Sequence, residues 1–243
     1  MALSHSPKIV TDGLVLCLDA GDRKSYPGTG TTWTDRSGNS NNAVSQASAS
    51  TTEARFNSNG YFDLNEASDV YFLISGLNNY DFGSNLTVDF WIKNTGGDYR
   101  AIVQNSNTSA TNDTIDIRLG RENYYGGSNN GTRCSFMLNS SSTSLSFYIP
   151  LNVWTYVTCT HDGTTMRAYT NGKEFSNTSY PSSISASAYD MKLFRHYNTG
   201  EDLVNPFALI RMYDRTLTAD EILQNYNATK GRFGVWVLTQ IQI

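Results

Sequence analysis

Residues 150–175 read PLNVWTYVTCTHDGTTMRAYTNGKEF, and two dipeptides in that stretch leave the chain little freedom. Asp162-Gly163 and Asn171-Gly172 tolerate the positive φ that two-residue hairpin turns require, so each marks a chain reversal. The runs they separate, 153–161, 165–170 and 173–175, are rich in branched and aromatic side chains that fit a pleated surface. The spacing predicts an antiparallel three-strand meander. Alternation along a strand places Val153, Val157 and Cys159 on one face of the first strand. Tyr156, Thr158 and Thr160 take the other face, expected to be wetter. His161 and Asp162 are expected as turn neighbours, since nothing nearby completes a catalytic set.

Composition extends this to the whole chain. Charged residues are only 16% and aromatics 12% of 243 residues, so the surface must be built largely from Ser, Thr, Asn and Tyr. That favours a sheet protein with long polar loops, and the length fits one large sandwich with a sizeable core. A net charge of −4 without a Lys/Arg run argues against nucleic-acid binding, which needs clustered positive charge. No apolar run approaches the ~20 residues that span a bilayer, so no membrane insertion is expected. MALSHSPKIV lacks the apolar core of a secretory signal, which predicts synthesis in a cytosol. Cys17, Cys134 and Cys159 are an odd number with strand-like flanks, and are expected to be small buried hydrophobes.

Further strands are expected at 14–18, at 55–64 as a hairpin around Asn59-Gly60, and at 70–73, 101–104, 114–119, 134–138, 144–149, 191–196 and 207–213. Residues 86–93 alternate as a half-buried strand with Phe90 inward. Residues 43–53 are small and polar and read as a loop. Trp33 lies in a Gly/Pro/Asn-rich loop that its ring is expected to anchor. One helix is expected over 219–229: Thr218 and Glu221 form a capping box, and Leu217 and Ile222 a hydrophobic staple. Its buried stripe reads as Ile222, Leu223 and Tyr226, with Gly231 suited to the stop. The last residues, VWVLTQIQI, alternate at period two, as a strand added to the chain's own sheet or to a neighbouring subunit.

Three strings carry a resemblance. The Trp154 strand, the Asp162-Gly163 turn and Tyr169-x-Asn171-Gly172-Lys173 resemble the central hairpins of concanavalin A-like, laminin-G-like jelly-roll domains. Ser6 to Gly13, Leu18 to Gly21, Lys24 to Gly28, Trp33, Asp35 and Ser37 to Asn42 resemble the N-terminal segment of such proteins in tailed bacteriophages, notably marine ones. YDRTLTADEILQNYNATKGRFG resembles their C-terminal signature. The resemblance implies an all-β, two-sheet antiparallel jelly-roll sandwich with one short C-terminal helix. Residues 1–234 would form one laminin-G-like domain, and 235–243 a β tail that an adjacent subunit could share. It implies a non-enzymatic virion structural protein, as a capsid decoration or a tail or fibre component. Such a protein is made in the host cytoplasm, contacts other virion proteins, and is oligomeric or bound to a symmetric particle. The alternative it implies is a carbohydrate-binding module for host-surface glycan.

Candidate sites follow from residue chemistry. Glycosidases on this fold need two carboxylates across the scissile bond, and the E-x-D-x-(x)-E strand pattern of the family is missing. Asp113, Asp116 and Glu122 are the nearest acidic cluster, with Asp116 expected on the polar face of a strand. His5, His161 and His196 lack metal-ligand spacing. No catalytic residue, metal site or organic cofactor is therefore expected, calcium apart. Many domains of the resembled family hold one calcium ion at a sandwich rim, and Asp19, Asp22 and Asp35 lie in or beside loops that would supply ligands. Tyr99, Tyr124, Tyr125 and Tyr197 stand in polar loops, where sugar rings stack on aromatic faces and Asn or Asp supplies hydrogen bonds. These four are the expected glycan contacts.

Overall fold

The computed structural model describes residues 7–64, 70–96, 100–105, 114–120, 131–196 and 202–234. In chain order its strands are β1 (Leu14–Asp19), β2 (Thr32–Trp33), β3 (Ala43–Ser45), β4 (Phe56–Asn57), β5 (Tyr61–Phe62), β6 (Phe72–Ile74), β7 (Asn85–Lys93) and β8 (Arg100–Gln104). There follow β9 (Ile115–Leu119), β10 (Gly131–Leu138), β11 (Ser144–Pro150), β12 (Trp154–Asp162), β13 (Thr165–Thr170), β14 (Lys173–Ser179), β15 (Met191–Leu193) and β16 (Phe207–Tyr213). The helices are α1 (Ala49–Arg55) and α2 (Ala219–Thr229).

Among the described residues these strands form two eight-stranded sheets. The back sheet runs β14-β13-β12-β7-β16-β5-β4, with β1 also paired to β16. The front sheet runs β11-β10-β9-β8-β15-β6-β3-β2. Strand pairs in both are antiparallel. The architecture is the expected two-sheet jelly-roll sandwich with a short C-terminal helix.

The core lies between the sheets. Val88, Phe90, Ile92, Val157, Cys159, Ile210 and Met212 face inward from the back sheet, against Ile117, Leu119, Phe136, Phe147 and Ile149 of the front. Trp33 does anchor its loop: it is fully buried, with its ring 5.0 Å from Phe62 and 5.5 Å from Phe72. Cys17, Cys134 and Cys159 are buried and unpaired with one another, as expected.

The meander forms where its turns place it, as β12, β13 and β14. Gly172 sits at φ +79, and a Cβ there would lie 3.0 Å from Leu223 Cδ1 on α2. The residue must therefore be glycine both for the turn and for the close approach of the helix.

Several expectations are corrected. The second face of β12 is not wet: Tyr156, Thr158 and Thr160 are all fully buried. Strand β7 is likewise buried on both faces rather than half-buried, with only its ends open. The reason is α2, which lies across the outer side of the back sheet and adds a second apolar layer over Trp91, Tyr156 and Leu209. Strand β16 carries a register shift between Phe207 and Leu209. Phe207, Ile210 and Met212 consequently face the main core while Ala208, Leu209 and Tyr213 face the helix, so strict alternation fails.

Residues 43–53 are not one loop. They contain β3 and most of α1, which Ser48 caps by accepting from Thr51 N. Helix α2 starts as expected, with both halves of the Thr218–Glu221 capping box present. Its inner face differs: Leu223 is 43% exposed, and Asn225 is buried beside Ile222 and Tyr226. The stop differs too, because a 3-10 turn, Lys230–Phe233, extends the helix to Gly234, which is left-handed at φ +68. The 235–243 tail lies outside the described residues.

Candidate functional site

The two outer faces of the sandwich are unlike. On the back, Phe233 stacks on Trp91 at 4.1 Å and contacts Trp154 at 4.9 Å, and Trp91 Nε1 donates to Thr229 Oγ1. Beneath the helix is a closed polar network. Arg211 Nε donates to Asp89 Oδ1 at 2.7 Å and Arg211 Nη2 to Tyr156 Oη at 3.1 Å. Asn225 Nδ2 donates to Asp89 Oδ2 and to Tyr213 Oη, while Asn225 Oδ1 accepts from Val10 N at 2.8 Å. Tyr213 in turn donates to Val10 O. Burial pushes the Tyr156 phenol well above its ordinary range, so it remains protonated as a member of the network. Every group here is used to fasten α2 and the N-terminal segment to the sheet, and none faces solvent.

Among the described residues, no helix covers β10 and β11 on the outer side of the front sheet. Strand β10 alternates strictly, with Cys134, Phe136 and Leu138 inward and Arg133, Ser135 and Met137 outward. Strand β11 does the same, presenting Ser144, Ser146 and Tyr148. In register, Arg133 faces Tyr148, Ser135 faces Ser146, and Met137 faces Ser144. Tyr148 is 40% exposed. Arg133 donates from Nε to Ser146 Oγ at 2.9 Å and also from Nη2, which fixes the plane of its guanidinium.

The same face continues across β9, where Arg118 pairs with Asp116, and across β15, where Lys192 stands opposite Gln104. Beyond β15, Arg195 lies 3.8 Å over the Tyr71 ring and pairs with Asp202 at 2.6 Å. The described part of this face thus carries Arg118, Arg133, Lys192 and Arg195 against Asp116 and Asp202. Sequence reasoning passed over Arg133 and Tyr148. The alternation in GTRCSFML and SLSFYIP puts each on a polar face, but only the register between the strands brings them together.

Tyr99, Tyr124, Tyr125 and Tyr197 lie outside the described residues. Their described chain neighbours gather at one end of the front sheet. Arg100 pairs with Leu119, Ala101 bridges to Asp202, Gly120 N donates to Arg133 O, and Gly131 pairs with Pro150. That end is the one toward which Arg133, Arg118 and Tyr148 lie.

The calcium expectation meets a different arrangement. Asp35 Oδ1 accepts from Cys17 N and Ser37 N, and Oδ2 from Ser37 Oγ and Asn41 N. That fills the roughly four acceptor positions of a carboxylate. Asp19 Oδ1 accepts from Gly21 N and from Arg232 Nη1 at 2.6 Å, and Asp22 holds Lys24 N and Arg36. All three carboxylates fold their own loops, and Asp19 and Asp22 also face Arg232 and Arg36, so they do not fit a cation cage. Among the described residues no group of three His, Cys, Asp or Glu side chains converges.

Nor do the described acids and bases assemble for catalysis. Asp113 and Glu122 lie outside the described residues, and Asp116 is held by Arg118. His161 is buried with Nε2 2.7 Å from Ser182 O. Asp162 is turned to Arg167, Thr164 and Thr165; burial works against its charge, but these donors hold its carboxyl well below the usual range. His161 is therefore a buried strand residue of β12 rather than a turn neighbour, while Asp162 clamps the turn that follows.

Comparison with known proteins agrees with the architecture. Residues 56–223 match the family model described as the concanavalin A-like lectin/glucanases superfamily. The binding domain of botulinum neurotoxin serotype D superposes with a TM-score of 0.62 at 15% identity, covering 90% of this chain and 52% of that one. The binding domain of paraclostridial mosquitocidal protein 1 gives 0.60 at 16% identity, with 90% and 52% covered. The chain thus spans about half the length of these toxin domains. Domain 4 of the extracellular arabinanase AbnA from Geobacillus stearothermophilus, solved with arabinotriose, gives 0.58 at 13% identity, with 88% and 98% covered. No curated protein matches the chain. The likeness in structure is one of fold, and the family match extends over most of the sequence: the chain belongs to the concanavalin A-like lectin/glucanase superfamily.

Proposed function

We propose that this chain is a non-enzymatic recognition module that binds surface glycan through the front sheet and its loop end. The observation that carries this reading is the contrast between the two outer faces. The back is closed by α2 and its buried network, whereas among the described residues the outer face of β10 and β11 carries the exposed Tyr148 ring, serine hydroxyls and Arg133, held by Ser146. Sugar recognition uses that combination, with rings stacking on apolar faces and hydroxyls meeting fixed polar groups. The arabinotriose complex of AbnA domain 4, a domain of comparable length and fold, supports the reading. Tyr99, Tyr124, Tyr125 and Tyr197 belong to the proposal as loop contacts. Glycan-array binding that weakens when Tyr124 or Tyr125 is replaced by Ala is the expected result. Absence of binding to any glycan, or hydrolysis of one at a useful rate, overturns it.

The terminal strings favour a setting for this module: display on a tailed-phage particle, as a capsid decoration or a tail or fibre component. Mass spectrometry of purified particles tests it, with the chain expected at stoichiometric abundance. Its absence from particles refutes the virion role and leaves glycan recognition standing.

A further inference from the structure

We propose that residues 235–243 of a second copy of this chain add as a strand to the free edge of β14, so that two copies exchange their C-terminal segments. Among the described residues β14 ends the back sheet, with β13 as its one strand partner. Lys173, Glu174, Phe175, Asn177 and Ser179 are exposed along it, and Phe175 leaves 51% of its surface to water. Edge strands are ordinarily blunted by charge, proline or a bulge. Here the charged pair Lys173 and Glu174, and the register shift opposite Ala168 and Tyr169, are confined to the first end. Beyond them Ser176, Asn177, Thr178 and Ser179 stay in unbroken register with β13 and carry no charge.

The occupant follows from what continues past Gly234. Residues 235–243 read VWVLTQIQI, in which Val235, Val237, Thr239, Ile241 and Ile243 put branched side chains on one side of a period-two pattern. The run contains no charge, proline or glycine. Direction decides between the chain's own β14 and that of another copy. Phe233 packs on Trp154, which opens β12, and Asn171 N donates to Tyr156 O. The segment therefore departs from the end of the sheet where the Gly172 turn starts β14. A strand starting there meets its own β14 only in the parallel sense, in a sheet whose described pairs are antiparallel. An antiparallel approach starts at the Ser179 end, about 20 Å along the edge, which consumes roughly six residues of extended chain. Two copies with their β14 edges side by side about a two-fold axis place the Gly172 end of each against the Ser179 end of the other. Each segment then meets the other copy's β14 antiparallel. The contact is self-complementary, as a closed dimer requires, and strand addition supplies it with main-chain hydrogen bonds.

The experiment is sedimentation equilibrium of the full chain across micromolar concentrations, beside two full-length double variants. Val237→Glu with Ile241→Glu charges the segment, and Phe175→Lys with Ser179→Lys charges the receiving edge at two exposed positions. The expected result is a dimer of the full chain, with each double variant raising the dimer dissociation constant about tenfold or more. Melting curves verify that the variants are folded, and either one alone keeps the test open should the other misfold. A chain that stays monomeric throughout overturns the proposal. So does a dimer that the segment variant leaves unchanged, because the copies then meet through another surface. A dimer weakened by the segment variant but untouched by the β14 lysines overturns it as well, because the segment then docks elsewhere.

Discussion

Arg211 donates to Asp89 across 2.7 Å between β16 and β7, and neither side chain is more than 2% exposed. A pair so buried is held by its completeness. Replacing Arg211 with Met leaves a buried carboxylate without its cation, which costs about 3–5 kcal/mol. Joint replacement, Arg211→Met with Asp89→Leu, is expected to cost less than either single change. Urea denaturation measures all three, and singles within about 1 kcal/mol of wild type would show that the pair is not what fastens this layer.

Helix α2 depends on its first turn. Thr218→Ala removes the cap and should cost about 1 kcal/mol. Arg215 holds the Glu221 carboxyl down to about 2 from its ordinary 4.5, with the Thr218 backbone and hydroxyl assisting. A depressed carboxyl contributes stability that is present above pH 4.5 and is lost as pH falls toward 2. Glu221→Gln should flatten the stability–pH curve within that window and leave its slope above pH 4.5 unaltered.

Acid sensitivity should begin earlier, at His196. Burial, together with Arg118 and Lys192, pushes its imidazole down to about 3 from 6.5. The unfolded chain therefore takes up a proton below pH 6.5 that the folded one refuses, and stability falls progressively from pH 6.5 toward 3. His196→Phe, if it folds, should remove the slope between pH 6.5 and 4.5. An unchanged slope there would mean that another group controls it.

Gly172→Ala tests how closely the meander approaches the helix. The new methyl meets Leu223 Cδ1 at 3.0 Å and Leu223 Cα at 3.4 Å, on a backbone already at φ +79. A loss of about 1–3 kcal/mol is expected by thermal or chemical melting. A neutral result would mean that α2 moves away freely.

How far the sequence disclosed the fold depended on whether a signal was local. The turn at Asn171-Gly172 and the Thr218–Glu221 box are dictated by adjacent residues, and both appear where expected. The burial of β7 on both faces was not legible in LTVDFWIK, because it depends on α2, which lies far along the chain. Asn225 reads as a polar helix residue until Val10, Asp89 and Tyr213 surround it. The Arg133–Tyr148 pair failed for the same reason: each strand shows its outward face, but the pairing exists only in register. Asp35 shows the reverse error, where ligand-like residue types in a loop proved to be its own internal clamp.

Residue 8 lies against α2, where Gln224 Nε2 donates to Lys8 O, and Gly234 follows Phe233 on the Trp91 and Trp154 rings of that same side. Both ends of the described chain therefore leave from the face opposite Tyr148. Among the described residues, the first and last thus share the α2 side of the sandwich, and β10 and β11 lie on the other.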